Sequence, residues 1–173
     1  MKAPPKSSEA VRQAAQVERE AVSFFRRANR LAADPRVKFI FSRAAEEHEN
    51  ALKVLEPLAK GRGKPRVPSF FPVDEYATIE CSVCGHSEET DEIPETCPSC
   101  GAAGYAFDKD VPRDLAWSLV ARTARNVAAF TRKMGAGVKD PEAKNALTMA
   151  AGIHRDLLAE ANEERARLEG AAP

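Results

Sequence analysis

Two C-x-x-C-G turns, Cys81-Ser82-Val83-Cys84-Gly85 and Cys97-Pro98-Ser99-Cys100-Gly101, stand twelve residues apart and hold all four cysteines of a 173-residue chain. Each turn aims two thiolates at one point, and the glycine after it permits the backbone twist that lets amides approach sulfur. Four thiolates held in this way fit one tetrahedral ion, zinc or a single iron, and the spacing does not choose between them. Iron would make the site a one-electron carrier, whereas zinc would only hold the module folded. The competing reading, a redox dithiol or unrelated buried cysteines, has to treat two matched pairs as coincidence.

Charge narrows the partners. Residues 67–108 contain nine acidic and no basic groups, residues 1–66 contain 15 basic and 8 acidic, and residues 109–173 contain 11 basic and 9 acidic. With Asp74, Glu75, Glu80, Glu88, Glu89, Asp91, Glu92 and Glu95 around it, the cysteine module repels phosphate, which excludes a nucleic-acid-binding zinc ribbon and points to basic protein surfaces. Gly61 to Pro68 and Asp110-Val111-Pro112 bound it as linkers. The expected organisation is a first helical hairpin over 7–60, a linker over 61–75, a metal module over 76–108, a linker over 109–113 and a second hairpin over 114–169.

The flanks carry helical periodicity. Val11, Ala14, Ala21, Phe25 and Ala28 form one stripe of a first helix, and Asp34-Pro35 supplies a capping carboxylate and a first-turn proline for a second helix carrying Val37, Phe41, Ala44, His48, Ala51, Leu55 and Leu58. After the insert, Asp114 opens a third helix with Ala116, Val120, Thr123, Val127, Phe130 and Met134, ended by Gly135-Ala136-Gly137. Asp140-Pro141 opens a fourth with Ala143, Leu147, Ala150, His154, Leu157 and Ala161. A shift of 106 residues superposes Asp34-Pro35 on Asp140-Pro141 and His48 on His154, so one hairpin is used twice. Two such hairpins bury their apolar faces by pairing into a four-helix bundle, within a chain or across a dimer. With 31 Ala, 8 Phe and 1 Trp, its core is thin and helical rather than sheet-like. Met134 and Met149 read as core filler and Trp117 as a bundle or interface aromatic. Formal charge is zero, no stretch approaches a membrane span, and Met1–Ala10 lacks the apolar run of a signal peptide, so a cytoplasmic location is expected.

Tyr76 to Phe107, with its two C-x-x-C-G turns and the Pro94-x-x-Cys97-Pro98-x-Cys100-Gly101-Ala102 run, resembles the rubredoxin-like domain of rubrerythrins. Glu18-Arg19-Glu20-Ala21-Val22-Ser23-Phe24-Phe25, Asp34-Pro35 and Ala44-Ala45-Glu46-Glu47 resemble the first hairpin of that family's ferritin-like bundle. The resemblance implies a mainly α fold, a ferritin-like four-helix bundle of two hairpins, with the small β metal knuckle inserted between the second and third helices. In the commonest members the knuckle follows the bundle instead.

It also implies a di-iron peroxide reductase, which requires a Glu from each of two helices and a Glu-x-x-His from each of the other two. Here Glu18 and Glu47 remain, while Asn50, Thr123, Ile153 and Asp156 stand where further ligands belong, so two of six positions are kept and the dimetal centre is largely missing. Glu18, Glu47, His48 and His154 could form a displaced single-metal site. The simpler reading, favoured for core histidines generally, is two buried imidazoles satisfied by a carboxylate or carbonyl. Glu18 and Glu47 could equally lie at the stripe's edge and reach solvent or an arginine.

Three functions follow. The first is a rubrerythrin-like redox protein with one iron on Cys81, Cys84, Cys97 and Cys100, serving electron transfer or an accessory role for a redox partner or larger oxidoreductase complex. The second is a divergent di-iron peroxidase, and the third a zinc-stabilised protein-interaction subunit. A homodimer is expected, with no nucleic acid and no membrane as partner.

Overall fold

The computed structural model describes residues 7–90 and 92–170. Most of the proline-bearing start, residues 1–6, the acidic Asp91 and the side chain of Asp74 lie outside what is described.

Four long helices carry the chain: α1 (Ser7–Leu31), α2 (Pro35–Leu55), α4 (Arg113–Gly135) and α5 (Pro141–Gly170). Between α2 and α4 come a 3-10 turn (Glu56–Leu58), the short α3 (Val73–Ala77), strands β1 (Thr78–Glu80) and β2 (Ser87–Glu89), and a second 3-10 turn (Gly104–Phe107). The molecule is thus mainly helical, with a small antiparallel hairpin paired Thr78↔Glu89, Ile79↔Glu88 and Glu80↔Ser87.

The two aspartate-proline starts do what their chemistry requires. Asp34, extended at φ −74° and ψ 123°, accepts the Arg36 amide at 2.8 Å, and Asp140 accepts the Ala143 amide at 2.9 Å, each satisfying an orphan donor of the first turn. The start of α4 differs: the helix begins at Arg113 behind Pro112, with no side-chain cap, and Asp114 sits inside the first turn, where its charge meets the positive end of the helix dipole.

The hairpins α1–α2 and α4–α5 close on each other within the one chain, chiefly along α2 and α5. Every expected stripe residue of α2 and α5 is buried apart from Leu58, which is partly covered. Met149 is a correction: it lies on the outer side of α5 with 51% of its surface exposed and fills no core. Trp117 is buried in the core.

The bundle's apolar interior is split in two. At the end holding the α4–α5 connection, Ala10, Val11, Ala14, Ala15, Ala51, Leu55, Val138, Leu147 and Ala150 form an alanine-rich cluster. At the other end Phe24, Phe25, Phe41, Val120 and Leu157 pack in one cluster with Phe71, Tyr76, Ile79, Cys81, Cys97 and Phe107 of the insert. Small side chains let the helices approach closely at the first end. Aromatic rings pack where the knuckle docks.

That docking is specific. Arg27 of α1 is buried and donates from Nε to the Tyr76 carbonyl at 2.5 Å and from Nη2 to the carbonyls of Ala77 at 3.1 Å and Thr90 at 2.5 Å. Ala33 N donates to Lys109 O at 2.9 Å and Lys109 N to Leu31 O at 2.5 Å, which clamps the exit of the insert to the end of α1. The stretch expected as linker is not idle either: Phe71 is buried against Phe24 with ring centroids 5.5 Å apart, and α3 begins within it at Val73. No helix of the described residues is long and apolar enough to cross a membrane.

Candidate functional site

The first cluster is built by two tight turns. Gly85 N bonds back to Cys81 O at 2.8 Å and Gly101 N to Cys97 O at 2.9 Å, with both glycines at positive φ, 74° and 75°. Cys81 N donates to His86 O, Cys97 N to Ala102 O and Ser82 N to Ala106 O, so each turn is pinned to the strand or turn beside it. The four sulfurs lie within 4.8 Å of one another, with Cys81 and Cys100 at 3.8 Å and Cys84 and Cys97 at 3.7 Å. A tetrahedron with metal–sulfur bonds of about 2.3 Å has edges of about 3.8 Å, so the cage fits one ion.

Electrostatics agree. The Ala102 amide favours a thiolate at Cys100, but the crowding sulfurs of Cys84, Cys97 and Cys81 outweigh it and push the thiol up to about 12. Four thiolates this close need a cation to ionise together. Cys81 and Cys97 face the shared core, while Cys84 and Cys100 are exposed. Beside that edge Val83 and Tyr105 are 68% and 77% exposed.

The second cluster lies in the bundle core. Glu18 of α1, His48 of α2 and His154 of α5 are all fully buried, and each sits between residues of the two apolar clusters in its own helix. Nδ1 of His48 lies 2.6 Å from one Glu18 carboxylate oxygen and Nε2 of His154 lies 2.8 Å from the other. Burial would raise the Glu18 carboxyl, but the charge and hydrogen bond of His154, then those of His48, overcome it and bring it down from 4.5 to about 2. His48 is pushed below its ordinary 6.5 by burial, against the pull of Glu18. The far nitrogens, Nε2 of His48 and Nδ1 of His154, are buried with no hydrogen-bond partner among the described residues.

Of the residues expected at a bundle site, Glu18, His48 and His154 meet. Glu47 does not join them: it pairs with Arg43, one turn back, which also reaches Glu160 at 3.1 Å. The remaining positions do not fit a dimetal centre. Asn50 is exposed and accepts from Lys53, Asp156 is exposed, and Thr123 is buried with its hydroxyl turned to Leu119 O and Val120 O of its own helix.

Sequence reasoning missed Arg27 as the residue that seats the knuckle. Its signal was a cation three residues after Phe24 and four before Leu31 on an apolar stripe, where charge is costly unless it is used.

Residues 80–108 match the family described as "Rubrerythrin, rubredoxin-like domain". No curated protein and no solved structure matches the chain.

Proposed function

We propose that this chain is a rubrerythrin-like redox protein that passes single electrons through one iron held by Cys81, Cys84, Cys97 and Cys100, on a ferritin-like bundle that has given up its dimetal centre. The observation that carries the reading is the half-exposed cage: two of its cysteines are buried in the core and two are exposed. An iron on four thiolates supplies a one-electron couple. The chain contributes the rest. Backbone amides steady the sulfurs, the Arg27 contacts hold the knuckle still during exchange, and the exposed edge gives a partner close approach.

The partner is a redox protein, or a subunit of a larger oxidoreductase, that presents a basic surface. The absence of any Lys or Arg from residues 67–108 supports this and argues against nucleic acid. A reducing, cytoplasmic setting suits four cysteines kept for a metal rather than for disulfides. A peroxidase reading has no support from the bundle, because Asn50, Thr123, Ile153 and Asp156 cannot complete a dimetal ligand set.

The test is the visible spectrum and metal content of protein made in iron-supplemented medium. A cysteinate-to-iron band that bleaches with dithionite is expected. A colourless protein with zinc in the cage would sink the electron-transfer reading and leave an interaction module.

A further inference from the structure

The bundle core holds a carboxylate and two imidazoles that do not close their own chemistry. Glu18 is fully buried in the bundle core, where Ala14, Val17 and Ala21 of its own helix and Ala44, Ala51 and Ala150 of the neighbouring helices are fully buried too. Both its oxygens are used, one by each histidine. A carboxylate in an apolar interior is expensive to ionise unless a cation accompanies it.

Each imidazole that donates one ring N–H to Glu18 keeps a bare lone pair on the other nitrogen. Those are Nε2 of His48 and Nδ1 of His154, neither of which has a partner among the described residues. Their surroundings offer little to them. Phe25 stacks on His48 with centroids 5.5 Å apart and Phe71 meets it edge-on at 6.1 Å. Histidines that ligate metals characteristically donate their second N–H to a carboxylate, which fixes tautomer and ring orientation. The two rings lie 4.7 Å apart, tilted by 37°, close enough to serve one ion.

We infer that Glu18, His48 and His154 hold a single divalent first-row transition ion, with both imidazoles as ligands and Glu18 as the anion that orients them and balances charge. The donors are imidazole nitrogens backed by a carboxylate, which suits zinc, iron(II) or cobalt(II). One carboxylate with two imidazoles serves one ion, not two. This site is independent of the redox reading of the knuckle, since none of its three residues is a cysteine or touches the cage.

Cobalt(II) reconstitution of the full chain tests it, because thiolate-bound cobalt gives an intense near-ultraviolet charge-transfer band and nitrogen/oxygen-bound cobalt does not. The expected result is two cobalt ions per chain in the parent protein. The His48→Ala/His154→Ala double variant should hold one, with the thiolate band and helical circular dichroism intact. One ion per chain in the parent, with the thiolate band accounting for it, would overturn the inference and leave a proton-sharing triad. Should the double variant not fold, Glu18→Gln decides: it keeps the shape of the side chain but not its charge. Cobalt affinity at the site without the thiolate band should then fall by about ten- to a hundredfold, and an unchanged affinity would refute the assignment. The iron band of the knuckle is a separate readout, so either proposal can fail without the other.

Discussion

At Gly85 and Gly101 the backbone stands at φ 74° and 75°, yet a Cβ built at either would meet nothing within 4 Å. The requirement is therefore conformational, not spatial. A left-handed alanine costs about 1 kcal/mol, and because ion binding and knuckle folding are one event, that cost falls on metal retention. Gly85→Ala and Gly101→Ala should each weaken retention roughly fivefold in competition with a chromophoric chelator, while Ser99→Ala, on the exposed side of the second turn, should leave it unchanged. Glu18 makes a different prediction, for the metal-free protein. Its carboxyl is held at about 2 against an ordinary 4.5, so its contribution is fully present above 4.5 and is lost as pH falls towards 2. His48, depressed by burial and facing Glu18, His154 and the charge of Glu47, also makes acid unfavourable, from about its ordinary 6.5 downward. Urea midpoints should fall steeply between pH 6 and 3, and Glu18→Gln should flatten the part below 4.5; an unchanged slope there would mean that the carboxylate is not the group responsible. The cysteines and the buried Glu18, His48 and His154 were readable from spacing and stripe. Glu47 was not, because neighbours on a helix point 100° apart: with His48 turned inward on the buried stripe, Glu47 swings to the helix edge and pairs with Arg43 one turn back.

Helices with strong start signals were legible as elements. Asp34-Pro35 and Asp140-Pro141 both cap, and the 106-residue repeat put His48 and His154 at equivalent levels. The element that escaped is α3, with five residues and no side-chain cap, and the small β hairpin came from the resemblance alone, because local propensity over so few residues is too small a sum to stand out and tertiary packing decides. What seats them is Arg27, a residue of another element. Its hydrogen bonds to Tyr76 O, Ala77 O and Thr90 O satisfy carbonyls at the end of α3 and just past β2. Arg27→Met keeps the aliphatic stem and removes the donors, leaving the buried Tyr76 carbonyl without its arginine partner at a cost of about 2 kcal/mol. Amide exchange across residues 76–90 should accelerate about thirtyfold relative to the parent, with α2 and α5 unaffected. Equal acceleration throughout the bundle would show that the arginine supports the helices rather than the joint.

Across the whole molecule, bundle and knuckle are joined by burial as well as by sequence. The helical faces would look the same in an intrachain bundle or a swapped dimer, so closure within the chain could not be read from periodicity; it follows from how α2 and α5 meet. The cluster that includes Phe24, Phe25, Phe41 and Trp117 also contains Ile79, Cys81, Cys97 and Phe107, so the four-cysteine cage is one wall of the bundle's aromatic end. The alanine-rich cluster at the far end contains no residue of the insert. Metal removal should therefore act unevenly. Without an ion the four thiols have only the short β hairpin, one 3-10 turn and the Arg27 contacts to hold them, and the knuckle opens. The helices keep their hairpin contacts and the far cluster but lose the cover of Phe107, Tyr76 and Ile79. Three such side chains contribute about 2 kcal/mol each when fully buried, and partial recovery of cover by the opened chain halves that to about 3 kcal/mol. For a chain of this size each kcal/mol moves the melting temperature by about 2–4 °C. Chelation should accordingly leave the helical circular dichroism at 25 °C nearly unchanged while lowering the bundle's melting temperature by about 10 °C, and restoring the ion should reverse the shift. A melting temperature indifferent to the ion would mean that the shared cluster does not couple the two parts. Loss of helix on chelation would mean that the bundle cannot stand without its metal-bound wall.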